Sequence, residues 1–190
     1  MDNLVEEFRE IKRGHWSALR TRIARTALGP SVLRVFERGT KEEVIPVLSD
    51  MDPDELLEVK SKDAFRLWFE DELALVADCI RAHNRSNSRI FPGYKWGHAT
   101  KVLTLFLRDI VVHSRHFSDQ QVEQISPLLY APVDGMVIKW LRKLEMKPPF
   151  NRINQIDSAK KFYWVQDLLG EAADEVGVPR IWFDDVWARR

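Results

Sequence analysis

The residues best suited to chemistry lie around a glycine-rich turn and the apolar segment that follows it. In the stretch Gly93–Arg108, GYKWGHATKVLTLFLR, one lysine, Lys101, stands where a strongly apolar helix is expected to begin. Such a lysine is either a nucleophile or an ordinary solvated residue at a helix start. The later segment LYAPVDGMVIKWL adds a carboxylate, Asp134, which is also well placed to cap a helix. The sequence leaves both interpretations of each residue open.

The polar loop before Lys101 alternates basic and aromatic residues. Residues 81–115 hold seven basic residues against one acid, whereas residues 52–78 hold nine acids against three bases. Cations can contact phosphates and rings can stack on an unpaired base, so the loop is a candidate nucleic-acid contact. The alternative is an exposed loop that anchors its aromatic side chains in the core. The residues concerned are Arg89, Phe91, Tyr94, Lys95, Trp96 and His98.

The elements that must position these residues are helices. Glycine is scarce, strict alternation of apolar and polar residues is nearly absent, and helical spacing of apolar residues recurs, so the chain is predicted to be all-α. The segment 98–113 is apolar on nearly every side, which is typical of a helix at the centre of a domain. Arg108 and Asp109 inside it are expected to pair with groups elsewhere in the fold. Further helices are predicted near residues 3–27, 31–38, 41–49, 63–83, 118–128, 134–145 and 157–175, with a short closing helix.

Length and charge limit the possible organisation. The chain has 190 residues with 29 basic and 29 acidic side chains, so its net charge is zero. We expect a compact multi-helix unit in which an N-terminal helical part, residues 1–84, packs with a second part, residues 85–190. Neutrality argues against a protein that coats DNA through its overall charge, but it allows a local basic patch.

Cysteine, histidine and hydropathy patterns exclude several classes of site. The single Cys79 excludes a disulfide framework, a four-cysteine iron–sulfur site and a cysteine zinc site. The five histidines form no HExxH or similar helical pair, so neither a metal nor another cofactor is expected. No apolar run approaches the roughly 20 residues that span a membrane, and the N-terminus lacks an apolar signal core. A soluble, cytoplasmic protein without a membrane partner is therefore predicted.

The region from Gly97 onward resembles the helix-hairpin-helix DNA glycosylase superfamily, in particular its bifunctional oxoguanine glycosylase/lyase branch. That family has a Gly-x-Gly-x-Lys hairpin and a helix ending in Phe-Leu-Arg, and Gly97, Lys101 and 106–108 fall in the same register. A short apolar segment, an Asp and a further helix follow in the family, as in 129–138. The C-terminal part is similar in Tyr163, Gly177-Val178, Asp185 and Trp187. The likeness covers residues 85–190.

The resemblance implies base-excision repair of damaged or abasic DNA without a cofactor. Lys101 would attack the anomeric carbon of the sugar and form a Schiff base, after which the strand breaks by elimination. The Asp134 carboxylate would stabilise the positive charge that develops on the sugar. Trp96, Tyr94 or Phe91 would receive the extruded base or fill the gap that it leaves. Backbone N–H groups of the hairpin around Gly97 would hold phosphates.

Two departures from the family pattern bear on this hypothesis. Ala99 stands at the position of the second hairpin glycine, and alanine would be strained there if the backbone needs a positive φ. The connection between Lys101 and Asp134 also carries an insertion, about residues 115–129, which can displace Asp134 or shape the entrance for substrate.

Two other classes of protein are compatible with the sequence. One is a nucleic-acid-binding or protein-interaction module on the same fold without chemistry, which suits seven Trp and zero net charge. The other is a ribonuclease similar to the helical HEPN family, whose Arg-x4-His motif matches Arg108 and His113. Residues five apart lie about 140° apart around an α-helix, which weakens that match. The glycosylase and the non-catalytic module are discriminated by whether the Lys101 amine lies within a few ångströms of the Asp134 carboxylate in an open cleft, or points to bulk solvent. The oligomeric state is not predicted.

Overall fold

The computed structural model describes residues 2–33, 36, 38–87, 96–143, 145–146 and 148–184, and over these residues the protein is all-α, without a strand. This confirms the predicted fold class. The helices are α1 (Asp2–Ala27), α2 (Pro30–Leu33), α3 (Thr40–Asp50), α4 (Lys62–Asn87), α5 (Trp96–Arg108), α6 (Asp119–Ile125), α7 (Gly135–Lys143) and α8 (Ala159–Val176). Short 3-10 helices occur at Pro53–Leu57, Ile153–Gln155 and Arg180–Trp182.

Local signals explain where several helices begin and end. Ser118 and Gln121 form a reciprocal capping box at the start of α6, in which the side chain of each residue accepts a hydrogen bond from the backbone N–H of the other. Gly177 ends α8 in the left-handed conformation, with φ of 68°, which glycine adopts without strain. The segment after Asp52 forms a single 3-10 turn, in which the Asp52 side chain accepts from the Asp54 N–H.

Helix α5 lies at the centre of the fold. Its residues Val102, Leu103, Phe106 and Leu107 are at most 1% exposed. It contacts α1, α2, α4 and the 3-10 turn Ile153–Gln155, and its buried residues belong to one apolar cluster that draws on both 1–84 and 85–190. The helix starts at Trp96, earlier than expected, and it continues into a π-helical turn, Asp109–His113. Lys101 therefore lies in its second turn.

The glycine at the start of α5 is required by a close backbone approach. Gly97 is helical, and its N–H donates to the Ile156 carbonyl oxygen at 2.9 Å. A Cβ on this residue would lie 2.5 Å from the Ile153 carbonyl oxygen and 3.0 Å from that of Ile156. Ala99 is helical and fully buried, and it is absent from the described residues with positive φ. Alanine is therefore unstrained at this position.

Within the described ranges, none of the helices combines the length and apolar character that crossing a lipid bilayer requires.

Gly97→Ala tests the close approach directly. We expect a loss of about 1–3 kcal/mol in the free energy of unfolding, because the added methyl meets backbone atoms that cannot rotate away. Urea unfolding followed by circular dichroism measures this change. Gly14→Ala in α1 is the matched control, since a Cβ there meets nothing within 4 Å. Its expected effect is a gain of up to about 1 kcal/mol from helix propensity. Equal effects of the two substitutions would contradict the packing role of Gly97.

Candidate active site

Lys101 and Asp134 meet in the folded chain although they are 33 residues apart in sequence. The Lys101 Nζ donates to the Asp134 Oδ2 across 3.2 Å. The lysine side chain is 13% exposed and the aspartate side chain 34% exposed. The amine is therefore directed to a carboxylate at the edge of the core and away from bulk solvent. This geometry permits both an ion pair and proton transfer between the two groups.

Asp134 also caps helix α7. Its second carboxylate oxygen, Oδ1, accepts hydrogen bonds from the N–H groups of Met136, at 2.8 Å, and Val137, at 3.1 Å. These N–H groups belong to the first turn of α7, whose donors have no partner within the helix. The two interpretations offered by the sequence are thus compatible. One oxygen caps the helix, while the other faces Lys101.

The extended segment before Asp134 is tied to α8 by a buried side chain. Gln166, fully buried, accepts from the Ala131 N–H at 2.9 Å and donates to the Ala131 carbonyl oxygen at 2.8 Å. An amide side chain can form both bonds at once because it has a donor and an acceptor side by side. The sequence analysis did not identify Gln166. The available signal was a polar residue on the apolar side of a predicted helix.

Arg180 fixes the same segment from the other side. Its guanidinium donates to the carbonyl oxygens of Leu129 at 2.9 Å, Leu128 at 3.1 Å and Gln166 at 3.2 Å. It also lies 4.5 Å from the centre of the Tyr130 ring, a cation–π contact. Burial lowers the pKa of the Arg180 guanidinium and raises that of the Tyr130 hydroxyl. Arg180 donates to carbonyl oxygens of the segment before Asp134 and also to that of Gln166 in α8. It therefore holds this segment against α8.

The N-terminal half of α5 satisfies its own polar groups. The Thr104 hydroxyl lies within hydrogen-bond distance of two carbonyl oxygens, 2.8 Å from that of Thr100 and 3.1 Å from that of Lys101. The Thr100 hydroxyl donates to the Gly97 carbonyl oxygen at 2.9 Å. The electrostatic influence of a helix N-terminus fades within its first turn. Lys101 lies beyond the first turn, so the electrostatic environment of its amine is set by burial and by Asp134.

The predicted DNA-contact residues fall into three groups. Arg89, Phe91, Tyr94 and Lys95 lie outside the described residues. Trp96 is half-buried, with its ring 5.3 Å from that of Phe162 in an edge-on arrangement. Gly97 and His98 are buried, and the Gly97 N–H is already bonded to Ile156. Among the described candidates, Trp96 is thus the one that reaches the surface.

A second cluster of charged groups lies two turns beyond Lys101. The Asp109 Oδ1 accepts from the Arg108 Nε at 2.8 Å and Nη2 at 2.6 Å, and it lies 3.1 Å from the His113 Nδ1. Arg108 also pairs with Asp184, as expected for a charge inside an apolar helix. The π turn links residues five apart, which differs from the α-helical geometry assumed above. Arg108 and His113 share one carboxylate oxygen because Asp109 contacts its neighbour Arg108 and also His113, four residues further on.

No group of three or more His, Cys, Asp or Glu side chains within the described ranges has a geometry that could hold a metal ion. Cys79 is a free thiol in α4, and burial raises its pKa.

Comparison with protein-family models, with curated proteins and with solved structures finds no match to this chain.

Gln166→Leu tests the clamp on the segment before Asp134. We expect the free energy of unfolding to fall by about 2–4 kcal/mol, because the substitution leaves the Ala131 N–H and carbonyl buried without partners. Denaturant unfolding measures the loss. Gln120→Leu, on the exposed side of α6, is the matched control and should change stability by less than about 0.5 kcal/mol. A loss for Gln166→Leu no larger than that of the control would contradict the clamp.

Proposed function

We propose that this protein is a helix-hairpin-helix DNA glycosylase/AP lyase that acts on damaged or abasic DNA through a Schiff base on Lys101. The observation that supports this most directly is the 3.2 Å contact between the Lys101 Nζ and the Asp134 Oδ2. It joins the residues that the family resemblance pairs, across two helices and a long stretch of sequence. The residues that the resemblance assigns to the hairpin, 97–101, are helical and lie within α5, so the Lys101–Asp134 pair and not a hairpin supports the proposal.

The contact supplies both groups that the proposed reaction needs. An amine attacks only when it is neutral, and Asp134 lies within reach to accept its proton. The nitrogen of Lys101 then bonds to the anomeric carbon, and the glycosidic bond breaks with its electron pair on the base, or on the hydroxyl of an abasic sugar, which leaves with the proton that Asp134 took up. Once Asp134 has passed this proton to the leaving group it is a carboxylate again, and it stabilises the positive charge that develops on the sugar. The sugar ring then opens: one of the two remaining amine protons passes to the ring oxygen, the ring C–O bond breaks and the Schiff base forms. Loss of a further proton from the sugar allows the 3′ phosphate to leave.

The insertion relative to the family does not separate the pair. Residues 115–129 contain α6, an ordered helix that packs on the 3-10 turn Pro53–Leu57 and on the π turn. The chain then returns to Leu129, which the Arg180 guanidinium holds. The insertion is therefore accommodated on the side of the π turn. In the proposed complex, Arg89, Tyr94 and Lys95 contact DNA together with Trp96, while Gly97 and His98, which are buried in α5, hold this surface through packing.

Borohydride trapping on abasic DNA tests the nucleophile. The wild-type protein should form a covalent adduct after reduction, and Lys101→Gln should form none, because the amide nitrogen of glutamine cannot make a Schiff base. Lys139→Gln, an exposed lysine of α7, is the matched control and should keep the full yield. The absence of an adduct with wild-type protein would sink the lyase proposal. Full trapping by Lys101→Gln would assign the chemistry to another amine.

Asp134→Asn separates the two roles of this carboxylate. Asparagine caps helices as well as aspartate does, so the free energy of unfolding should change by less than about 1 kcal/mol. The rate of adduct formation should fall about 10²-fold or more, since the charge near the sugar is lost. Single-turnover trapping together with urea unfolding measures both quantities. A large loss of stability with an unchanged rate would assign the Asp134 charge a structural role, as the ion-pair partner of Lys101.

The Arg108–Asp109–His113 cluster favours a second candidate, a HEPN-like ribonuclease. Its support is the shared Asp109 oxygen, which brings the two motif residues together. Against it, the Arg108 guanidinium is engaged by both Asp109 and Asp184. A non-catalytic nucleic-acid-binding module is the third candidate. It would bind abasic DNA with the same affinity after Lys101→Gln and form no adduct in either case.

A further inference from the structure

A groove separate from Lys101 and Asp134 runs under the N-terminal half of α1. It has a volume of about 510 Å³, and its walls come from α1, the 3-10 turn Pro53–Leu57 and the chain at the start of α6. Ligand-binding clefts typically have volumes of about 300–1,000 Å³, so the groove is large enough for a nucleotide. None of its lining residues takes part in the proposed lyase chemistry.

One wall of the groove is basic. The lining residues of α1 are Arg9, Lys12, Arg13 and Trp16, and their spacing places all four on one side of the helix. Arg9 and Arg13 contact Glu6 at 3.2 and 2.8 Å, but their side chains are 69% and 66% exposed. Exposed pairs of this kind are worth little, so a phosphate can compete for both guanidinium groups.

Lys12 completes the basic wall. Among the residues that the structure describes, Lys12 forms no ion pair with a carboxylate. Asp54 is the acid in the groove lining, and its Oδ1 lies 2.7 Å from the His116 Nε2. Asp54 makes this contact from the 3-10 turn Pro53–Leu57, a wall other than α1, and its side chain is 62% exposed. The α1 wall therefore presents its positive charge to an incoming ligand.

The floor of the groove is aromatic and fixed. The His116 ring meets the Trp16 ring edge-on at 4.5 Å and the Phe117 ring edge-on at 4.6 Å. The His116 side chain is 8% exposed, and Phe117 is buried. Rings that are held by their neighbours lose little freedom when a ligand packs against them. The groove thus combines exposed cations on one side with ordered rings beneath them.

We infer that this groove binds a single strand of nucleic acid, with phosphates on the α1 cations and a base against the Trp16 ring. Guanidinium groups match the geometry of phosphate oxygens, and aromatic rings accept any base by stacking. An acidic peptide would use the cations alone, whereas the rings give a base a specific advantage. The inference extends the proposed function by a second nucleic-acid contact, and it is independent of the chemistry at Lys101.

Salt-dependent binding of a labelled, undamaged single-stranded DNA tests the groove. Lys12→Gln/Arg13→Gln should weaken binding about tenfold at low salt, as measured by fluorescence anisotropy. It should also lower the slope of log K against log salt by about 1.4, since each phosphate contact on a single strand contributes about 0.7. Arg22→Gln/Arg25→Gln is the matched control. It removes the same charge from exposed positions of α1 outside the groove, and it should change affinity less than about twofold.

Three outcomes would overturn the inference. They are an equal loss of affinity in the control, an unchanged salt slope in the groove variant, and displacement of the DNA by oligoglutamate of equal charge as readily as by unlabelled DNA. Trp16→Leu supplies a second test, with binding expected to weaken about tenfold through lost stacking. Urea unfolding of this variant shows whether the substitution has instead destabilised the fold.

Borohydride trapping distinguishes failure of the groove from failure of the lyase proposal. At saturating abasic DNA the groove variant should give the wild-type adduct yield, because Lys101 and Asp134 are unchanged. Weaker binding with full trapping at saturation supports the groove. Unchanged binding overturns the groove, whatever the trapping yield.

Discussion

Burial of helix α5 is the constraint on which the rest of the structure depends. Apolar side chains occupy most of its surface, and burying each of the larger ones is worth about 1.5–3 kcal/mol. A helix covered on nearly every side must satisfy its polar groups internally or along a narrow exposed line. Here that line runs through positions 101, 105, 108 and 112, which are partly exposed. Lys101 and Arg108 both lie on it.

Each charge on this line meets a carboxylate from a distant part of the chain. Lys101 contacts Asp134 at the start of α7, and Arg108 contacts Asp184 after the last 3-10 turn. Both carboxylates must be delivered by segments that pack over α5. The path to Asp134 is held by Gln166 and Arg180, so helix α8 determines the position of Asp134 through the backbone before it. The side chains that fix the position of Asp134 are therefore also side chains that stabilise the fold.

Periodicity in the sequence was sufficient to predict the helices and the central position of α5. The register of Gly97, Lys101 and Asp134 also led to the two side chains that meet. Other features depend on contacts between distant segments, which periodicity does not encode. Gln166 forms its bonds with the backbone of Ala131, and the fit of Gly97 is set by the approach of Ile153 and Ile156. The sequence pattern suggested a φ requirement at the neighbouring position 99, where the helix requires none.

The placement of a charged pair at the edge of α5 is hard to explain by stability alone. Asparagine would cap α7 as well as Asp134 does, and an uncharged side chain could fill the space of Lys101. A partly buried ion pair contributes little net stability, because the cost of removing both charges from water offsets most of their attraction. Packing therefore requires neither charge. The proposed reaction, which needs an amine beside a carboxylate, uses both.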